Sequence, residues 1–130
     1  MKAYLVDAFE PKNNGVKEIK SWEEIAPLLN CDMFDVTKIE FKDSGMILNV
    51  YVDDEGLCKE PEDIVWGAFR MNWEKMQFES FLAGSLLIVS SVLDKDGIEI
   101  DLTEDQIQEI EDHLMEVPAS KNNPATILVV

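Results

Sequence analysis

The chain consists of short apolar segments separated by turn-forming residues, and this alternation constrains its fold more than any other feature. Residues 46–52, Met-Ile-Leu-Asn-Val-Tyr-Val, have the composition of a β-strand. Asn14-Gly15 is the strongest hairpin signal, because an Asn-Gly pair readily adopts the positive φ angles of a two-residue hairpin turn. Similar reasoning predicts strands at residues 2–8, 16–20, 33–41, 46–52, 85–93, 98–102 and 126–130.

Two capping boxes predict where helices begin. Ser21 is followed three residues later by Glu24, and Thr103 is followed three residues later by Gln106. The first helix is predicted to run to about Asn30 and to be short, kinked or partly 3₁₀, because Pro27 falls inside it. The second is predicted to continue to about Val117, just before a proline.

A third helix is predicted within residues 57–81. Trp66, Phe69, Trp73 and Met76 are spaced three, four and three residues apart, which places them on one helical face, although Gly67 argues against a helix. We therefore predict an α+β fold: a small, mainly antiparallel sheet built from hairpins and packed against two or three helices. We expect one domain over residues 1–130.

The charge excludes several classes of partner. The chain has 27 acidic and 11 basic residues, a net charge of −16, and Arg70 is its only arginine. Arginine and lysine supply most contacts to phosphates, so we expect no direct binding to nucleic acid or to an anionic membrane. A basic protein partner is favoured instead, because opposite charges steer association.

Almost all of this charge falls on two segments: the middle turn region, residues 43–66, and residues 93–117, which include the C-terminal helix and contain ten acidic residues and one basic residue. One predicted helical face is apolar and should be buried: Ile107, Ile110, Leu114 and Val117. The opposite face, which we call the acidic stripe, carries Asp105, Glu109, Asp112 and Glu116. Like charges at these spacings destabilise a helix slightly.

Two interpretations of the acidic stripe remain open. It is either a solvated face that keeps the protein soluble, or a surface that a basic partner recognises. Its carboxylates would be spaced by roughly 4.5–6 Å along the helix axis, on the order of the phosphate spacing in a nucleic-acid strand. On the second interpretation, a basic nucleic-acid channel could mistake the stripe for its substrate.

A second concentration of acid, the acidic turn of Asp53, Asp54 and Glu55, ends the strand at 46–52. With Gly56 as the sixth residue of a calcium loop, the first ligand would be Tyr51, and with Gly97 it would be Val92. Neither side chain binds calcium, so both segments are predicted to be ordinary turns. We expect the acidic turn to add to the partner-binding surface.

The sequence contains no recognisable catalytic or metal-binding motif. His113 is the only histidine, and Cys31 and Cys58 are separated too widely for a zinc motif and are expected to be reduced thiols. We predict no catalytic residues, no bound metal and no cofactor. The enzyme alternative would require a pocket that contains His113 or Cys58 beside perturbed carboxylates.

The aromatic residues Trp66, Phe69 and Trp73 form a secondary candidate surface. Such a row is usually part of a core, and as an exposed face it would bind a small ligand or a protein partner. This regulatory module is an alternative to the acidic binding surface.

Several segments resemble a family found in bacteria, phages and mobile elements, catalogued as domain of unknown function 3846. The resemblance spans most of residues 1–110 and lies in residues 1–7, 31–32, 51–57 and 82–89, an Asp-Gly turn and residues 101–107. The aromatic segment at 66–81 is longer than the family's usual connection, and the tail after Pro118 lies outside its pattern. No catalytic residues are assigned in this family, so the resemblance implies none here. It implies a phage or mobile-element setting, where small acidic proteins often blunt host defences.

These observations lead to one hypothesis. The chain is expected to be a non-enzymatic acidic binding protein that inhibits a host nuclease of the restriction or CRISPR type by occupying its basic channel. No targeting segment is recognisable, so the expected location is the cytoplasm, and the host cytoplasm if a phage encodes the protein. The oligomeric state is not predicted.

Overall fold

The computed structural model describes residues 1–92, 95–96, 100–121 and 124–130. Over these residues the chain forms nine strands and two α-helices. The strands are β1 (Lys2–Val6), β2 (Gly15–Glu18), β3 (Phe34–Phe41), β4 (Met46–Asp53), β5 (Trp66–Asn72), β6 (Gln77–Ala83), β7 (Leu86–Val89), β8 (Leu114–Glu116) and β9 (Thr126–Val129). The helices are α1 (Ile25–Leu29) and α2 (Glu104–Asp112), and short 3₁₀ turns lie at Pro11–Asn13, Trp22–Glu24 and Pro61–Asp63.

The described strands form two sheets instead of the single sheet that was predicted. The first sheet has the order β2-β1-β7-β4-β3 and is antiparallel throughout. The second sheet has the order β6-β5-β9-β8, in which only the β5–β9 pair is parallel. The predicted α+β class and the mainly antiparallel pairing are therefore confirmed.

Strand β7 organises the core because it lies at the centre of the first sheet and is buried on both faces. All four of its residues are fully buried. Leu86 and Ile88 belong to one core cluster, while Leu87 and Val89 belong to another, as expected for side chains that alternate along a strand. The first cluster includes residues of α2 and the second sheet, and the second cluster includes residues of α1.

Helix α1 is short for the reasons that its sequence indicates. The carboxylate of Glu24 accepts the backbone N–H of Ser21 at 2.7 Å, which completes the predicted capping interaction. The segment begins as a 3₁₀ turn, contains Pro27, and ends where Asn30 adopts a left-handed conformation with φ of 54°. The prediction of a short and partly 3₁₀ helix is confirmed.

The prediction of a helix within residues 57–81 is wrong. This segment contains β5 and β6, which pair antiparallel around a turn at residues 73–76. The turn depends on Asn72, whose side chain accepts the backbone N–H of Lys75 at 3.1 Å, and on Met76, which has a φ of 51°. The residues at the turn lack the usual Gly or Pro, and the aromatic residues match a helical period although the segment is a β-hairpin.

Gly67 has a different role from the one its helix-breaking character suggested. A Cβ atom at Gly67 would overlap the carbonyl oxygen of Gly84. The Gly84 N–H donates to the carbonyl of Val65 at 2.7 Å, so two backbone segments approach closely here. Glycine in a strand commonly marks such an approach.

The predicted helix from Thr103 to Val117 is too long, because α2 ends at Asp112 and Leu114–Glu116 form β8. Ile107 and Ile110 are buried as predicted, whereas Leu114 reaches the core from a strand. Of the predicted return strand at 98–102, Ile100 to Leu102 are not in a strand, and residues 98–99 lie outside the described residues. The predicted turn at 94–97 also falls partly outside them.

Candidate functional site

The acidic stripe is not one continuous helical face. Asp105, Glu109 and Asp112 lie on α2, but Glu116 lies on β8 beyond the end of the helix. Asp105, Asp112 and Glu116 are exposed, whereas the side chain of Glu109 is only 18% exposed and faces other groups of the protein. The structure therefore leaves three members of the stripe available to a partner and uses the fourth internally.

The early end of α2 has a structural cause. The backbone carbonyl of His113 accepts the N–H of Val129 at 2.9 Å, and the next residues pair with β9. The last turn of α2 contains no basic residue to balance the helix dipole. Strand pairing with β9 therefore replaces a helical continuation that its own charges disfavour.

His113 lies at the centre of a cluster with Asp43 and Glu109, which we call the His113 cluster. Its Nε2 atom lies 3.2 Å from both carboxylate oxygens of Asp43 and 3.3 Å from Oε1 of Glu109. Its Nδ1 atom lies 2.8 Å from the carbonyl oxygen of Val129, and its ring packs against Phe41 at a centroid distance of 4.6 Å. The imidazole is 20% exposed and held from three sides.

Ser44 connects the two carboxylates of the His113 cluster. Its hydroxyl donates to Oε1 of Glu109 at 2.8 Å, and its backbone N–H donates to Oδ1 of Asp43 at 3.0 Å. Partial desolvation raises the pKa of the exposed Asp43, but the charge and hydrogen bond of His113, with smaller contributions from Glu109 and Ser44, outweigh it and lower this pKa below its ordinary value. The Asp43 carboxylate is therefore stabilised in its charged form.

A largely apolar groove of about 360 Å³ adjoins the His113 cluster. Its lining contains four polar or charged residues, Lys42, Asp43, Asp112 and His113, and seven largely apolar residues, Met71, Trp73, Phe78, Leu114, Met115, Val129 and Val130. The Trp73 side chain is 70% exposed. An apolar groove with a few convergent polar groups is the usual form of a ligand or partner site.

The structure does not bring the three predicted aromatic residues onto one exposed face. Trp73 lines the groove from the turn after β5, while Trp66 and Phe69 lie on β5 itself and are half-buried. The pairing of β5 with β6 is irregular between Trp66 and Phe69, and neither residue is among the described residues that line the groove. Because this segment is not helical, the spacing of the three aromatic residues does not place them on one face.

The acidic turn lies beside both cysteines instead. Asp53 and Glu55 line a pocket of about 420 Å³ together with Cys31 and Cys58, both of which are free, and Asp54 is exposed. Burial raises the pKa of the Cys31 thiol, and the charges of Asp53, Asp32 and Glu55 raise it further. Because the thiolate is the reactive form, this environment makes Cys31 a poor nucleophile.

Ion pairs between described residues include Lys12 with Glu10 and Lys121 with Asp63. No described Lys or Arg lies within ion-pair distance of Asp105, Asp112 or Glu116. Their carboxylates are therefore not neutralised by these residues of the fold.

Comparison with known proteins found no match among protein-family models, curated proteins or solved structures. The resemblance to the domain family of unknown function stays a prediction. Across the described residues, no helix combines the length and the apolar character needed to cross a membrane.

Asp43 and Ser44 are the site residues that sequence reasoning missed. Glu109 and His113 are four residues apart, so their contact on one helix face follows from spacing. Asp43 lies in the turn between β3 and β4, 70 residues before His113. The sequence Lys42-Asp43-Ser44-Gly45 has the composition of a turn, which does not indicate a contact with α2.

Proposed function

We propose that the chain is a non-enzymatic acidic protein that binds a basic protein partner and occupies the partner's nucleic-acid channel. The observation that carries the proposal is the uncompensated charge of Asp105, Asp112 and Glu116, which no described Lys or Arg neutralises. A charged helix face of this kind attracts a basic surface and increases the association rate.

The contact surface is centred on α2. Glu104 and Asp105 lie in its first turn and Asp112 at its end, and all three are exposed. Glu116 extends the same acidic segment onto β8. The acidic turn of Asp53, Asp54 and Glu55 is a second contact in this proposal, and its carboxylates also lack a described Lys or Arg in ion-pair contact.

The proposed partner is a host nuclease of the restriction or CRISPR type, and the chain is its inhibitor. This step is supported by the resemblance to a family of phages and mobile elements and by the net charge of −16. The protein would then act in the cytoplasm of the host. A nuclease channel is lined with basic residues that bind phosphates, so a surface of fixed carboxylates competes with its substrate.

The test is affinity capture from a bacterial host lysate, followed by measurement of the captured complex at rising salt. The triple variant Asp105→Asn, Asp112→Asn and Glu116→Gln removes the exposed charges and leaves Glu109, which the fold uses internally. We expect this variant to bind the captured partner at least about tenfold more weakly than the wild type, and added duplex DNA to displace the wild-type protein.

A matched variant, Glu23→Gln with Glu40→Gln and Glu60→Gln, removes the same number of charges from exposed positions outside α2. It should retain nearly all of the affinity if the α2 surface makes the contact. Equal binding by the wild type and the α2 variant, or binding that does not change with salt and DNA, would contradict the proposal.

A regulatory module that binds a ligand or partner through an aromatic surface is a second candidate, and the exposure of Trp73 beside the groove favours it. Trp73 is the member of the predicted aromatic set that this interpretation retains. The variant Trp73→Ala should abolish such binding without loss of stability, while Trp22→Ala, also at an exposed indole, should not affect it. If Trp73→Ala binds the ligand or partner as strongly as the wild type, the groove is not the binding surface.

A further inference from the structure

We propose that Asp43, Glu109 and His113 form a binding site for a divalent transition-metal ion, with Zn²⁺ as the representative ion. The site goes beyond the proposed partner binding and does not depend on it. It also departs from the expectation of no bound metal that the sequence supported. The three residues come from the turn between β3 and β4, from α2 and from the residue directly after α2, so only the tertiary fold assembles them.

The spacing of the donor atoms fits a small metal ion. One ligand atom from each residue lies within 4.8 Å of the other two, and the closest distances from His113 Nε2 are 3.2 Å to Asp43 and 3.3 Å to Glu109. Zinc bound tetrahedrally at 2.0–2.1 Å places neighbouring ligand atoms about 3.3–3.4 Å apart. The two distances from His113 Nε2 therefore already match those between neighbouring ligands of a bound zinc ion.

The hydrogen bond of Nδ1, on the side of the imidazole away from the carboxylates, determines which ring nitrogen carries the proton and which can bind a cation. The carbonyl of Val129 has no proton to donate, so the short 2.8 Å contact requires that His113 Nδ1 carries the proton. A neutral ring then directs the lone pair of Nε2 at the oxygens of Asp43 and Glu109. Three acceptors that face one another need a cation between them, which is either a proton on Nε2 or a metal ion.

Charge favours the metal ion over the proton. Two carboxylates and a neutral imidazole balance a divalent ion completely, whereas an imidazolium leaves one negative charge on the cluster. The chain already carries a net charge of −16, so its field attracts a divalent cation. A nitrogen ligand also distinguishes this set from clusters of acids alone and favours transition metals over calcium, which prefers oxygen ligands.

The ligands are held by a second set of hydrogen bonds. Val129 orients the imidazole, the Ser44 hydroxyl donates to Glu109, and the Ser44 N–H donates to Asp43. Metal-binding histidines usually donate their other N–H to a carbonyl or carboxylate in this way. Because Asp43 and His113 also line the apolar groove, the remaining coordination position would face the groove and accept water or a ligand.

The test is calorimetric titration of Zn²⁺ into the full chain after removal of metal by a chelator and of any affinity tag. We expect one ion per chain and an affinity at least tenfold lower in Asp43→Asn and His113→Gln. Ca²⁺ in excess should not compete. The matched control Glu40→Gln removes an exposed carboxylate from β3, outside the groove lining, and should keep the full affinity.

Because His113 contributes to packing, two further measurements keep the test decisive if His113→Gln fails to fold. Asp43 is exposed, so Asp43→Asn is expected to fold and by itself tests the site. His113 is the only histidine, so its ¹⁵N signals report directly whether Nε2 binds metal or a proton. Unchanged Zn²⁺ affinity in Asp43→Asn, or a protonated Nε2 at saturating Zn²⁺ and neutral pH, would overturn the proposal. Partner binding by the α2 surface would be unaffected by either result.

Discussion

The Nε2 atom of His113 lies 3.2 Å from each carboxylate oxygen of Asp43, although the two residues are 70 positions apart in the sequence. This contact joins the turn between β3 and β4 to the end of α2. It places a titratable pair beside the apolar groove and connects the end of α2 to the first sheet. The pH dependence of stability and the proposed metal site both depend on it.

The first prediction concerns pH. Partial desolvation raises the folded-state pKa of Asp43, but the charge and hydrogen bond of His113 outweigh this effect, so the pKa is lowered. A carboxyl group with a lowered pKa stabilises the fold above its unfolded pKa, about 3.9 for Asp, and this contribution is lost as the pH falls through the folded value. The stability difference between the wild type and Asp43→Asn should therefore be larger at pH 6 than at pH 2.5.

Urea unfolding in metal-free buffer at both pH values measures this difference. Asp54→Asn is a suitable control, because its exposed carboxylate is not part of the His113 cluster. A difference for Asp43→Asn that stays constant between the two pH values would show that the contact with His113 does not stabilise the charged carboxylate.

The second prediction concerns the start of α2. The Thr103 hydroxyl accepts the N–H of Gln106 at 3.2 Å, and the Gln106 side chain accepts the N–H of Thr103 at 2.9 Å. Thr103→Ala should lower the free energy of unfolding by about 1 kcal/mol, because it removes this cap. Thr103→Ser retains the hydroxyl and should cost much less. Equal losses in thermal or urea unfolding would indicate that the cap is not the cause.

The third prediction concerns the close approach of Gly67 to Gly84. Gly67→Ala should destabilise the fold by roughly 3 kcal/mol, because the new Cβ would overlap a backbone oxygen that cannot rotate away. Gly45 has a φ of 74° but open space around its Cβ position, so Gly45→Ala should cost only about 1 kcal/mol. If urea unfolding finds the two variants equally stable, the backbone segments at Gly67 and Gly84 are not in close contact.

The fourth prediction concerns the central strand. Ile88 is fully buried in β7, and Ile88→Ala should lower the free energy of unfolding by about 2–5 kcal/mol, because it leaves a cavity among packed side chains. Ile47 is 46% exposed on the neighbouring β4, and Ile47→Ala should cost less than about 1 kcal/mol. Similar losses for both variants would contradict the central position of β7.

Much of the local structure could be predicted from the sequence. The strands at β1, β3, β4, β7 and β9 and the caps at Ser21 and Thr103 were recognised from composition and spacing. These features depend on neighbouring residues, such as the alternation of side chains and the reach of a capping side chain. Ile107 and Ile110 were also assigned to the core correctly.

The β5–β6 pair could not be predicted in the same way. Its turn uses Met76 with positive φ and an Asn72 side-chain hydrogen bond, and neither produces a Gly or Pro signal. Trp66, Phe69 and Trp73 fit a helical period by chance. The side chains of β5 do not show a regular alternation of buried and exposed positions, because the β5–β6 pairing is irregular near Ala68.

In the candidate site, too, contacts between nearby residues could be predicted and contacts between distant residues could not. The spacing of Glu109 and His113 was visible in the sequence, but Asp43 had no local feature that indicated its partner. The stripe that included Glu116 assumed a helix through Val117, which β9 interrupts by pairing with Leu114–Glu116. The energy of that pairing depends on a strand later in the chain, so helix spacing alone could not reveal it.

The sequence by itself determined the acidic charge, the mixed α and β composition, and the start of each helix, because these follow from residue type and from contacts within a few positions. Only the tertiary structure decided where α2 ends, that Trp73 is exposed beside a groove, and that Asp43 meets His113. These outcomes depend on packing and pairing between distant segments, and the free energy of such contacts is not encoded in any single stretch of residues.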